Sequence, residues 1–215
     1  FAFLHVYEPH APYAAPEPFR SRFADPYDAE VAAADAAVGR LVAKLTALGL
    51  WEKSLVVFLS DHGEGLGEHG ENEHGVFLYR ESLQVPLLLK LPAGARGGTS
   101  VAAPAQISDV FRTVVEAAGL KGAPIPAGLV NLVDLAYGDA APPRRIYAET
   151  FFPRIRFGWS ELAALLDGSW HYVAAPKPEF YGLEADPGST RNLAGEKPGP
   201  FRSFVAETEK LRSPF

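Results

Sequence analysis

The residues best suited to chemistry in this chain are Asp61-His62-Gly63-Glu64, which directly follow the apolar, strand-like run SLVVFLS. A carboxylate and a neutral imidazole at adjacent positions can both ligate a divalent cation. Gly63 allows the sharp turn that would let the two side chains converge. Alone, the tetrapeptide reads equally as a polar loop whose Asp and His cap backbone groups. Its surroundings argue for more. Glu68-His69-Gly70 and Glu73-His74-Gly75 follow closely, so three of the six histidines lie between positions 62 and 74, more than a solvated acidic loop requires. Two others, His5 and His10, occur in LHVYEPHAPY. His10 is expected at the carboxyl end of a first strand, facing the same crevice as Asp61. His5 alternates within that strand and is expected to be packed.

These residues need a framework to position them. Residues 1–7 (FAFLHVY) read as a buried strand, and residues 8–27, with five prolines, as a loop. Residues 28–48 carry Val31, Ala34, Val38, Leu41, Val42, Leu45 and Leu48 at helical spacing before Gly49. Residues 54–59 read as a second strand. Strand, helix and strand at this spacing predict a right-handed βαβ unit with a parallel sheet, whose ligands bind at the carboxyl ends of the strands. Further on, residues 86–91 and 101–106 read as strands. Ser108 is the expected cap of a helix ending near Gly119, and residues 121–144 form a Pro/Gly-rich connection. Residues 145–150, 161–167, 170–174 and 179–183 read as short strands, with a hairpin at Asp167-Gly168-Ser169 and a terminal helix over 201–211. The fold class is therefore α/β: a parallel-type βαβ core sheet, then a small antiparallel C-terminal meander with a terminal helix, divided into residues 1–140 and 141–215.

Composition excludes several alternatives. With 47% hydrophobic and 21% charged residues the chain is globular rather than disordered. No apolar run reaches the ~18 residues of a membrane span. A net charge of −6 argues against a nucleic-acid-binding surface. The absence of cysteine removes disulfides, thiolate zinc sites and a cysteine nucleophile. The chain begins at Phe1 and contains no Met, so it reads as a piece of a longer protein. An open first-strand edge would then recruit a second copy, giving a homo-oligomer.

Taken in order, PHAPY, then SDHGEGLGEHG, then HGVFLYRESLQVPLLL, then Asp109 and Thr113 in a helix ending in Ala-Gly, then IYAET and FYGLEADPGSTRNLA, resemble the C-terminal half of sulfatases in the alkaline-phosphatase superfamily. The resemblance spans nearly the whole chain. It implies that Asp61 and His62 are metal ligands, that His10 touches the oxyanion of the sulfate or phosphate group, and that His74 stands where many relatives carry a Lys contacting the transferring group or leaving oxygen. Glu64, His69 and Glu73 would order the loop. Many sulfatases carry Asn at the second ligand position. The His62 found here matches phosphatase-like and phosphonate-hydrolase-like branches and shifts preference from Ca²⁺ toward Mn²⁺, Zn²⁺ or similar ions, within an expected cofactor of Mn²⁺, Zn²⁺, Ca²⁺ or Mg²⁺. The family often shows Glu-x-x-Arg before Val-Pro, whereas this chain has Glu81-Ser82-Leu83-Gln84.

The family's nucleophile, a Cys or Ser matured to formylglycine in a Cys/Ser-x-Pro/Ala-x-Arg motif, has no counterpart in this sequence. The expected function is thus part of a metal-dependent hydrolase of small-molecule or glycan sulfate esters, inactive alone, with a periplasmic or secreted location by resemblance. A phosphodiesterase, phosphonate hydrolase or phosphoglycol transferase keeps the fold and changes the ester. A non-catalytic module with this fold is the alternative from a different class.

Overall fold

The computed structural model describes residues 1–138, 143–196 and 198–212. Its regular elements are α1 (Phe19–Arg22), α2 (Pro26–Ala47), β1 (Val56–Leu59), α3 (Arg80–Leu83), β2 (Leu87–Lys90), α4 (Asp109–Ala117), α5 (Leu132–Ala136), β3 (Ile146–Thr150), α6 (Phe152–Phe157), β4 (Leu162–Leu166), β5 (Trp170–Ala174), β6 (Glu179–Gly182) and α7 (Pro198–Leu211). The chain is α/β, with a two-stranded β1–β2 sheet and a four-stranded sheet in the order β3-β4-β5-β6. No helix among the described residues is long and apolar enough to cross a membrane.

One compact unit comprises Phe1–Leu55 and Lys90–Ala95. Its long helix α2 starts where its local chemistry dictates. The Asp25 carboxylate accepts the Tyr27 N–H at 2.8 Å, and Pro26 occupies the first turn, where a missing N–H costs nothing. At the other end Gly49, at φ 66°, donates to Thr46 O while Leu50 donates to Leu45 O, both at 2.9 Å, which closes the helix with a left-handed glycine. The apolar stripe is not a buried one. Val31 and Leu48 are exposed, and the buried residues of α2 are Ala29 and Glu30.

The expected first strand does not form. Residues 1–7 have no ladder partner among the described residues, and Phe1, Phe3, Leu4, His5 and Tyr7 are exposed. An apolar β-type run becomes a strand only when a neighbour takes its N–H and C=O groups, so the packed environment expected for His5 is absent as well. Residues 8–27 are not all loop, since α1 lies within them, and residues 101–106 are not a strand.

The second unit comprises Val56–Leu89 and Arg96–Phe215. Its antiparallel sheet pairs Leu165 with Tyr172 and Tyr172 with Phe180, which places all three on one face, where Phe204 of α7 covers them. On the opposite face Leu162 and Ala164 pack with Leu78 and Phe77, residues of the segment between β1 and α3. The Asp167–Trp170 hairpin forms as expected, with the Asp167 carboxylate accepting the N–H groups of Ser169 and Trp170 at 2.8 Å each.

Helix α4 corrects a further expectation. Ser108 makes no side-chain cap. Its neighbour Asp109 is buried, and its carboxylate accepts the Gln106 N–H at 2.9 Å, the Val130 N–H at 3.0 Å and the Arg144 guanidinium. Thr113 hydroxyl takes the Leu132 N–H at 2.9 Å, so α4 fastens the 130–132 segment at two points. Burial alone would raise the Asp109 pKa, but Arg144 and the two N–H donors outweigh it and hold it below the usual carboxylate value. A depressed carboxylate contributes stability that is complete above the ordinary pKa of 3.8 and is lost as the pH falls through the lower folded-state value. Asp109→Ala leaves Arg144 and two N–H groups without their acceptor. We expect it to cost about 3–5 kcal/mol in urea unfolding at pH 7, with a smaller difference from the parent below pH 3.8.

Candidate functional site

The loop that follows β1 is closed by backbone contacts too tight for side chains. A Cβ on Gly63 would lie 1.8 Å from Glu81 O, and Gly63 N–H donates to Ser82 O at 2.9 Å. A Cβ on Gly65 would lie 2.8 Å from the carbonyls of both Glu71 and Glu73, and its N–H donates to Glu73 O at 2.8 Å. Only glycine permits these approaches, so the role of Gly63 is close passage against α3 rather than a special turn angle. Glu71 is buried and takes the N–H groups of Val76 and Phe77 at 2.7 and 3.0 Å, fixing the return of the loop.

Asp61, His62 and His74 share this loop. The His62 and His74 rings stack at 3.9 Å between centroids, 29° from parallel. His62 Nδ1 meets Gly63 O at 2.9 Å. A carbonyl only accepts, so Nδ1 holds the proton and Nε2 carries the lone pair in the neutral ring. His74 Nδ1 likewise donates to Glu64 Oε1 at 3.0 Å, and the Glu64 side chain is 6% exposed. Fixing one ring nitrogen in this way orients the other, as in metal-ligating histidines. His62 Nε2 stands 3.8 Å from Asp61 Oδ1, and the Asp61 side chain is 79% exposed. That donor pair fits a divalent ion that prefers mixed nitrogen and oxygen ligands. Two donors do not complete a shell, and no group of three His, Asp or Glu side chains gathers as a metal cage among the described residues.

His10 belongs to the other unit, where it has its own support. Its ring stacks on Tyr7 at 4.5 Å, and its Nδ1–H donates to Ala11 O at 2.8 Å. The buried Glu30 carboxylate accepts the His10 N–H at 2.9 Å and the Ala14 N–H at 2.6 Å. Nothing in the sequence singled out Glu30, because a Glu in an Ala-rich helix looks like a solvated face.

His69 does not join the His62–His74 pair. It stacks on Tyr79 at 3.8 Å, donates from Nδ1 to Glu81 Oε1 at 2.6 Å, and reaches Ser189 O with Nε2 at 3.3 Å. Ser189 hydroxyl lies 3.3 Å from Nδ1 of His171, a fully buried ring whose pKa burial lowers to about 4. His171 went unnoticed because it stands alone in an apolar strand. Glu73 is exposed and contributes its backbone carbonyl to the loop. Burial opposes protonation of His69, but Glu81 and the carbonyls of Ser189 and Gly188 outweigh it and raise the pKa above 6.5. A raised histidine contributes stability that is complete below the unfolded value and lost as the pH rises through the folded one. His69→Gln should therefore destabilise by about 1.5–3 kcal/mol at pH 6, with a smaller deficit at pH 9, read from urea midpoints.

The sulfatase family model matches residues 1–120. The steryl-sulfatase of Mus musculus is 30% identical over an alignment covering 91% of this chain and 37% of that protein. The choline-sulfatase of Rhizobium meliloti (strain 1021) is 33% identical, covering 84% of this chain and 34% of that protein. This chain thus spans about a third of the length of the curated relatives it matches. Among solved structures, the phosphonate monoester hydrolase of Agrobacterium radiobacter superposes with a TM-score of 0.70 at 23% identity, covering 87% of this chain and 40% of that one, a likeness of fold. The chain belongs to the sulfatase family, within the alkaline-phosphatase superfamily.

Proposed function

We propose that this chain forms the C-terminal part of the catalytic domain of a metal-dependent hydrolase of sulfate esters. The observation that carries the reading is the anchored pair His62 and His74, stacked at 3.9 Å beside the exposed Asp61 carboxylate on a loop that glycines hold closed. Asp61 and His62 would hold the metal, with remaining ligands and the nucleophile supplied by residues outside this sequence. A divalent ion held there would supply Lewis-acid polarisation of the ester oxygens and the nucleophile. His74, oriented through Glu64, faces the leaving oxygen and stabilises or protonates it as it departs. His10, held by Glu30, contacts the oxyanion. Small-molecule or glycan sulfate esters are the substrate class.

A second reading retains the site and changes the ester to a phosphodiester or phosphonate. The imidazole of His62 at the second metal position favours it.

Both readings are tested on the longer protein that carries this chain. An aryl sulfate, a phosphodiester and a phosphonate monoester are compared before and after chelation and after return of Mn²⁺, Zn²⁺ or Ca²⁺. The aryl sulfate is expected to be turned over fastest, with loss on chelation. Faster turnover of a phosphorus ester establishes the second reading, and turnover untouched by chelation removes both. Asp61→Ala should lower kcat/KM by at least about 100-fold, and His74→Ala by about 10²–10⁴-fold. The 215-residue chain assayed alone should show no turnover with any ester.

A further inference from the structure

The loop leaving His74 continues into one wall of a pocket unconnected with the roles above. The pocket has a volume of ≈ 290 Å³ and is lined by Phe77, Tyr79, Trp159, Leu162, Val173 and Glu179, among others. Leu162, Val173 and Glu179 lie on the sheet face that Phe77 and Leu78 cover. The lining residues are apolar or aromatic apart from Ser160 and Glu179. Oε2 of the Glu179 carboxylate accepts the Tyr79 hydroxyl at 2.8 Å and the Tyr181 hydroxyl at 2.7 Å. Burial, helped by Glu179, raises both phenols, Tyr79 to about 12, so both remain neutral donors. No Lys, Arg or His among the described residues forms an ion pair with Glu179.

Each class of small ligand meets this combination differently. An anion is repelled by Glu179. A neutral apolar molecule fills the volume and leaves the carboxylate without a counter-charge. A divalent metal needs several charged or nitrogen ligands converging on one point, and these walls supply a single carboxylate. A primary ammonium must shed strongly held water against apolar walls. An alkylated ammonium carries its charge inside an apolar shell. It suits carboxylate, aromatic rings and aliphatic wall together, through ion pairing, cation–π attraction and burial of methyl groups. The volume lies at the lower end of small-molecule sites, which run from about 300 to 1,000 Å³, so the ligand is small.

We propose that this pocket binds a small alkylated ammonium cation, with Glu179 as its counter-charge and Trp159, Phe77 and Tyr79 as its aromatic walls. The proposal is independent of the hydrolase reading, since it uses neither Asp61, His62 and His74 nor any group outside this chain.

The 215-residue chain is titrated with propyltrimethylammonium while the Trp159 indole N–H and neighbouring amides are followed by ¹H–¹⁵N NMR. The controls are 3,3-dimethylbutan-1-ol, which has a neutral head of the same shape, and 3,3-dimethylbutanoate. The expected result is saturable shifts confined to the pocket, with binding of the alcohol weaker by about 10-fold or more and none of the anion. Glu179→Gln keeps an acceptor for both tyrosines and should weaken the cation about 10-fold without weakening the alcohol. Ala175→Phe, which fills the pocket, should abolish the shifts; the spectrum of each variant reports whether it is folded. Equal affinity for cation and alcohol, or an unchanged affinity in Glu179→Gln, overturns the cationic class. A flat titration through the millimolar range overturns the site.

Discussion

The four-stranded sheet has two faces to bury and one helix, α7, that covers only the first of them. Leu165, Tyr172 and Phe180 lie beneath Phe204 of that helix, while Leu162 and Ala164 on the other face are covered by Phe77 and Leu78. At roughly 25 cal/mol per Å² of apolar surface removed from water, leaving this second face open would cost the unit heavily. The segment that covers it begins three residues after His74, at Phe77. Packing on a sheet more than 80 residues away in sequence thus sets where the histidine-bearing loop ends, and Glu71 repeats the constraint locally by accepting the N–H groups of Val76 and Phe77.

Much of this loop was legible because its residue types are expensive to place together without purpose. Three histidines among glycines and acids mark a candidate site, of which the fold brings His62 and His74 together, and the run of apolar residues before Asp61 forms the strand that precedes it. Partner choice was not legible. Glu-His-Gly spacing gives His69 and His74 the same local setting, and the family resemblance assigns His69 only to ordering the loop; neither names its partners, Glu81 and the Ser189 carbonyl, 120 residues away in sequence. Which imidazole faces which acid is decided by tertiary closure, and spacing along the chain does not encode it. Glu30 and His171 were hidden for a similar reason, since each owes its role to burial acquired only in the fold.

Strands divided along the same line. In the C-terminal meander each strand pairs with its neighbour in sequence, so alternation and turn residues suffice, and β3 to β6 lie within a residue or two of where the pattern puts them. Residues 1–7 have a strand's composition without a ladder partner among the described residues, and composition alone does not make a ladder. At Asp109 the difference is one of rank. Ser108 has the ordinary capping chemistry, but a neighbouring carboxylate with two N–H donors and the Arg144 guanidinium holds the same turn more firmly than one hydroxyl bond could.

Hydrogen-bond satisfaction then sorts the acids of the loop into different tasks. Glu64 serves His74, Glu81 serves His69, Glu68 takes the Leu66 N–H, and Glu71 takes two further N–H groups. Each of these carboxylates is engaged by a donor that the fold requires, and withdrawing one would leave that donor unmet. Asp61 differs. One of its oxygens accepts the N–H of its own neighbour His62, and its side chain stays largely open to solvent beside the lone-pair nitrogen of that same residue. The loop's internal economy of donors and acceptors is therefore closed without the outward ends of Asp61 and His62. Those ends can engage a ligand without breaking the contacts that hold the loop in place.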